Sequence, residues 1–243
     1  MKKGLSYEKL HLIAMILMLI DHVGLVLYPS LMWMRYIGRL AFPIFCFMLV
    51  EGYYHTSSTK KYIGRLLLSA LISEIPFDLM SSNSWIGIYQ NVMWTLMIGL
   101  ISISLIEKIK GLKSKVLSIV LQIITIAIGY VLGQIFIVDY YGIGVVQVLV
   151  FYYGRGSSLY KKAIQLIGLI YINYIVLGGY FIKIWGFEVP TQTFAIFALL
   201  IIWAYNNKKE LSGLKSKIFK YTCYVFYPIH MLVIYFIYKM ILG

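Results

Sequence analysis

The feature that most constrains this chain is a succession of nine apolar runs between polar or basic breaks, at 10–28, 40–54, 62–80, 92–107, 116–136, 143–153, 163–181, 193–205 and 219–242. A hydrocarbon core of about 30 Å takes about 20 residues of helix, with roughly 17–25 as the working range. Lipid offers backbone groups no hydrogen bonds, so runs of this length fold as helices. The run at 143–153 is the shortest, and a re-entrant segment is the alternative reading for it. Composition agrees, with 61% hydrophobic and 13% charged residues and a mean hydropathy of +0.83. Soluble domains are about a quarter charged, and a surface this apolar would aggregate in water. The expected fold is all-α: a polytopic transmembrane helix bundle of about nine helices, one domain over residues 1–243, with no internal repeat or linker. The first run carries Asp21 and His22 and lacks a small-residue cleavage site, so it reads as a retained helix rather than a signal peptide.

The formal net charge is +13, which in a soluble chain would suggest nucleic acid. Here the basic residues stand in short clusters between apolar runs, and no nucleic-acid partner is expected. Cytoplasmic loops of membrane proteins are enriched in Lys and Arg. With the amino terminus inside, 18 of the 22 Lys and Arg residues fall on the cytoplasmic side. The other four are Arg35, Arg39, Lys183 and Lys239. Dropping the run at 143–153 would move later basic clusters to the wrong side. The chain therefore reads as a multi-pass protein of the cell membrane, with its carboxyl terminus outside and the lipid bilayer as its first partner. Cys46 and Cys223 lie within apolar runs and read as small core residues, with no disulfide or metal site legible.

Ionisable side chains in hydrocarbon are expensive, so each needs a partner or a function. His11 and His22 are eleven residues apart, which returns almost to the same helix face about 16 Å along the axis. His22 reads as an imidazole poised to take a proton. Asp21 is positioned either to hold its tautomer or to bond a neighbouring helix. Arg35 and Arg39 lie on one side of a turn, to bind an anion or to pair with Asp21, Glu74 or Asp78. Glu51 and His55 are one turn apart at the cytoplasmic end. Lys60, Lys61 and Arg65 cluster where the third run begins, either as a topological anchor or as a cradle for phosphates. Glu74 and Asp78 straddle Pro76 and call for pairing with the arginines. His230 follows Pro228 in the last run, as a structural residue or as a second group facing His22.

The segments HLIAMILMLIDHVG, RYIGRLAFPIFCFMLVEGYYHT, KKYIGRLLLSALISEIPFD, QNVMWTLMIGL and YPIHMLV resemble, in order, the TraX family of integral membrane proteins, named for the enzyme that acetylates the amino terminus of conjugative F-pilin. That family is similar to the bacterial acyltransferase-3 proteins, whose first helix has a basic residue, ten residues, then a His. By this pattern His22 resembles the catalytic His, and His11 stands at the basic position in place of Arg or Lys. Glu51 replaces the serine of the wider group's Ser-Gly-Phe segment.

The resemblance implies a membrane acetyltransferase. Cytosolic acetyl-CoA is its co-substrate, with phosphates near Lys60, Lys61 and Arg65. Its acceptor is an amine or hydroxyl of a membrane or extracytoplasmic peptide or glycan. His22 acts as base and Asp21 orients it, with Arg35, Arg39, Glu74 and Asp78 on the acceptor side. A proton-coupled transporter or a peptide-binding membrane protein is the competing class. Against the transporter stand the odd number of runs and the absence of an inverted repeat.

Overall fold

In the computed structural model, which describes residues 4–184 and 186–242, nine helical stretches appear at the nine apolar runs. They are α1 (Tyr7–Val26), the pair α2 (Met32–Gly38) and α3 (Ala41–His55), α4 (Thr59–Ser82), α5 (Val92–Lys110), α6 (Lys115–Ile135) and α7 (Tyr141–Tyr153). Then follow α8 (Leu159–Ile170) with a π-helical turn at Tyr171–Val176, a 3₁₀ turn at Thr191–Phe197 leading into α9 (Ala198–Trp203), and α10 (Gly213–Leu242). Five stretches are long and apolar enough to cross a membrane by length and composition alone. Glu74 and Asp78 lower the hydropathy of α4. The chain is a multi-pass membrane protein.

Helix starts are written in the sequence as caps. Ser6, Ser58 and Ser114 each accept from the backbone N–H three residues on, at 3.3 Å, and Asn91 accepts from that of Met93 at 3.1 Å. These bonds satisfy donors that a helix leaves free at its first turn. The seventh run departs from expectation. Its helix ends at Val176, and Phe181–Ile184 and Phe187–Pro190 form a two-stranded antiparallel hairpin, β1 and β2. Gly178 and Gly179 take positive φ of 53° and 92°, a conformation that ends helices.

The core is a continuous apolar cluster in which Leu10, Ala14, Ile44, Val50, Leu100, Phe151 and Met231 are fully buried. Helix α7, the shortest run, packs against α3, α5 and α6. Its 13 residues span only about 20 Å at 1.5 Å each, and its burial removes any need to match the lipid. Helix α6 instead exposes Val116, Ile119, Ile123 and Ile135, and α4 exposes Leu68, Leu71 and Ile72, surface that only a bilayer solvates well.

Helices α6 and α7 meet at glycine. A Cβ on Gly133 would lie 2.6 Å from the Gly142 Cα, and one on Gly142 would strike the Tyr130 carbonyl. Close backbone approach through small residues is a common way for membrane helices to pack. Gly142→Ala is expected to cost about 1–3 kcal/mol through overpacking, read as a lower Tm in detergent. Gly64 is the control: a Cβ there would meet no atom within 4 Å, so Gly64→Ala should be neutral or stabilising.

Because the helices alternate in direction, the basic clusters gather at the end of the bundle where α1 begins, called here the basic end. Arg35 and Arg39 lie toward the opposite end. Lys2 and Lys3, counted above with the basic side, lie outside the described residues. The segment before α10 is tied to α1: Glu8 accepts from the backbone N–H groups of Glu210 and Leu211 at 2.9 and 3.1 Å, and Lys9 pairs with Glu210 at 2.7 Å.

Candidate active site

Helix α1 carries His22 and α10 carries His230, and folding joins these residues across 208 positions of sequence. His22 Nδ1 lies 2.7 Å from His230 Nε2, with the rings stacked at 5.0 Å and 6°. His230 Nδ1 lies 2.9 Å from the Phe226 carbonyl oxygen. A carbonyl only accepts, so this contact assigns the proton to His230 Nδ1 and a lone pair to its Nε2. That lone pair accepts from Nδ1–H of His22, leaving Nε2 of His22 unprotonated. An acceptor one helical turn before His230 thus fixes the tautomers of both imidazoles.

His22 lines a small cavity of about 40 Å³ with Met18, Asp21, Phe42, Asp139 and Tyr140 among its walls. Asp139 and Tyr140 reach it from the bend between α6 and α7. There Ile137, Tyr140 and Tyr141 hold positive φ of 49°, 61° and 50°. Bulky residues rarely adopt that conformation, and such strain concentrates at functional sites. The turn after a span is where sequence reading expects a solvated loop, so Asp139 gave no signal of its own.

Asp21 makes its contacts with the arginines rather than with His22. It accepts from Arg35 Nη1 at 2.5 Å and lies 3.4 Å from Arg39 Nη2. Adjacent helical residues point about 100° apart, so Asp21 and His22 look to different neighbours, and the residue that orients His22 is His230. Arg39 also donates to Gln192 at 3.3 Å, Gln192 to Asn173 at 3.1 Å, and Asn173 to Gln147 at 3.1 Å. This buried chain of amides anchors the arginine to the π turn and to α7. Asn173 and Gln147 sit singly in apolar runs and Gln192 just before one, where nothing in the sequence links them.

The remaining carboxylates find partners other than Arg35 and Arg39, contrary to the expected pairing of Glu74 and Asp78. Glu74 accepts from Asn91 Nδ2 at 2.5 Å and Trp94 Nε1 at 2.9 Å, and Asp78 accepts from the Gly87 backbone N–H at 2.8 Å. The fold-back at 83–90 brings the Gly87 N–H to Asp78, and the start of α5 brings Asn91 and Trp94 to Glu74, so neutral donors meet both carboxylates. Glu51 forms a two-point pair with Arg155 at 2.7 and 3.3 Å, and His55 Nδ1 bonds the Glu51 carbonyl at 2.7 Å.

At the basic end a cleft of about 340 Å³ opens between α1, α3, α4, α5 and α10. Arg65, His55, Lys209, Lys217 and Lys220 line it, and His11 stands deeper within it. Lys60 and Lys61 are exposed and do not line it. His11 Nδ1 and Arg65 Nε are buried without a hydrogen-bond partner, leaving polar groups with unmet capacity along the cleft. The lysines at 209, 217 and 220 read in the sequence only as topological signals. Extension of α10 back to Gly213 places the latter two in the cleft wall.

Cleft and chamber follow one another along the same helices. Helix α1 presents His11 to the cleft and Met18 and His22 to the chamber, and α10 presents Cys223 and then Tyr227 in the same order. The arrangement defines a class: a membrane-embedded helical protein with a basic cleft and, beside its inner end, a small cavity lined by a neutral imidazole.

The TraX protein family model matches residues 6–238, and the chain belongs to the TraX family. An alignment of 110 positions, covering 40% of this chain and 45% of the relative, is 36% identical to the "Probable fimbrial assembly protein FimC, serogroup H1" of Dichelobacter nodosus. An alignment of 82 positions, covering 34% of this chain and 33% of the relative, is 39% identical to the uncharacterized protein RP591 of Rickettsia prowazekii (strain Madrid E). The chain thus spans less than half the length of these curated relatives. No solved structure matches.

Proposed function

We propose that this protein is a membrane-embedded acetyltransferase that moves an acetyl group from cytosolic acetyl-CoA to an amine or hydroxyl of a membrane or extracytoplasmic acceptor. The observation that carries this reading is the unprotonated Nε2 of His22, held by His230 in a small chamber at the inner end of a basic cleft. Family membership supports it, and the fimbrial assembly name of one relative supports a pilin-like peptide as acceptor. The basic end faces the cytoplasm by the positive-inside rule, which makes the membrane the cytoplasmic one and leaves the carboxyl terminus outside.

CoA phosphates meet Arg65, Lys209, Lys217 and Lys220 in the cleft, with Lys60 and Lys61 on its rim adding long-range attraction. The pantetheine arm runs inward past His11 and brings the thioester to His22. The acceptor amine or hydroxyl enters from the opposite end, beside Asp139 and the Asp21–Arg35–Arg39 cluster. It attacks the thioester carbonyl and gives its proton to His22 Nε2. The new C–N or C–O bond forms, the C–S bond breaks, and the CoA thiolate takes up a proton.

Acetyl-CoA is expected to raise the Tm of the purified protein and to release CoA thiol when a membrane peptide fraction is present. Lys217→Ala with Lys220→Ala is expected to raise the apparent KM for acetyl-CoA about 10-fold with kcat little changed, the pattern for loss of uniform binding. An unchanged KM would return these lysines to a topological role alone. A wild type that shows no thermal shift with acetyl-CoA and releases no CoA would overturn the acetyltransferase reading.

A further inference from the structure

We propose that Phe45 is the partition between the basic cleft and the His22 chamber, and that it limits the acyl group reaching His22 to about two carbons. The length limit rests on the acetyltransferase reading, whereas the partition stands on geometry alone. One stripe of α3 borders both cavities. Gly52, Met48 and Leu49 face the cleft, Ala41 and Phe42 face the chamber, and Phe45, one turn from each group, lines both. The benzyl ring of Phe45 stands where a donor's thioester passes from one compartment to the next.

The chamber size sets the limit. At roughly 10–15 Å³ per water-sized group, about 40 Å³ holds about three such groups, and an acetyl unit has three non-hydrogen atoms. The far wall gives little room for more. The Phe42 ring stacks on that of Tyr140 at 3.9 Å and 4°, and Tyr227 is 2% exposed. Phe45 packs only partly buried against the core, so it is the wall that a longer chain would have to displace. A surplus methylene in a fitted apolar pocket costs about 10–200-fold in selectivity.

Two measurements test this separately. In a Cys223→Ser background, Met18→Cys places a thiol in the chamber, to be labelled with a charged thiol reagent entering from the cleft. Labelling is expected to run about 10-fold or more slower than that of native Cys223, and Phe45→Ala is expected to restore most of the difference. Equal labelling of Met18→Cys with and without Phe45→Ala overturns the partition. In the second, CoA release from hexanoyl-CoA and from acetyl-CoA is compared. Phe45→Ala is expected to raise the hexanoyl-to-acetyl rate ratio about 10-fold or more, and Phe45→Leu to raise it less while keeping the packing. An unchanged ratio in either folded variant overturns the length limit. A wild type that releases CoA from neither donor overturns the acetyltransferase reading and the length limit with it, while the labelling result still decides the partition.

Discussion

Replacing His22 by alanine is expected to lower acetyl transfer by about 10²–10⁴-fold, the contribution of a positioned base, with the protein still folded. Its partner gives a sharper test. His230→Phe keeps a stacked ring but removes the acceptor that holds the His22 proton on Nδ1, freeing the imidazole to present either tautomer and to shift. A misplacement of about 1 Å costs about 10²-fold, and a loss of that order in kcat is expected. His230→Gln supplies a side-chain carbonyl that accepts from Nδ1–H of His22, and is expected to recover part of it. An undiminished kcat in His230→Phe would show that His230 acts through bulk alone. The check is CoA release by purified variants, with Tm measured beside it to exclude unfolding.

The second large effect concerns stability. Asp21 and Arg35 expose only 14% and 18% of their side chains, so this pair lacks the water that makes surface ion pairs nearly worthless. Asp21→Ala leaves two guanidiniums facing one another without their shared carboxylate. Removing one member of a buried pair costs about 3–5 kcal/mol, seen as a large fall in Tm. Asp21→Asn keeps an acceptor and loses the charge, so its effect is expected to be smaller. Arg35→Met in the Asp21→Ala background removes one stranded charge and is expected to return part of the stability. A fully additive double variant would contradict the pairing.

Much of the bundle was legible because hydrophobic runs and basic breaks report directly on lipid and headgroups. The run at 163–181 overshoots its helix, because the hydropathy of residues 177–181 is indifferent to the left-handed turn at Gly178 and Gly179 that starts the hairpin. His22 stood out as an ionisable group in an apolar run, and His230 did so as one of two alternatives. Their contact did not, since 208 residues separate them and no local period encodes the meeting. Asp139 was hidden by its place in a turn, where a carboxylate is ordinary. Lys209, Lys217 and Lys220 were visible but explained too easily by membrane topology. Glu74 and Asp78 found their donors in Asn91, Trp94 and a backbone N–H, groups too common to be singled out as partners.

Radiolabel transfer in proteoliposomes is the most direct measurement of the central claim, that His22 receives a donor from the basic end and an acceptor from the other. Labelled acetyl-CoA is supplied to the side exposing the basic end, with a membrane peptide fraction as acceptor. The expected result is label in the acceptor for the wild type, at least about 10²-fold less for His22→Ala, and little when acetyl-CoA is confined to the opposite side. Label transferred equally by the His22→Ala protein, or equally from either side, would contradict it.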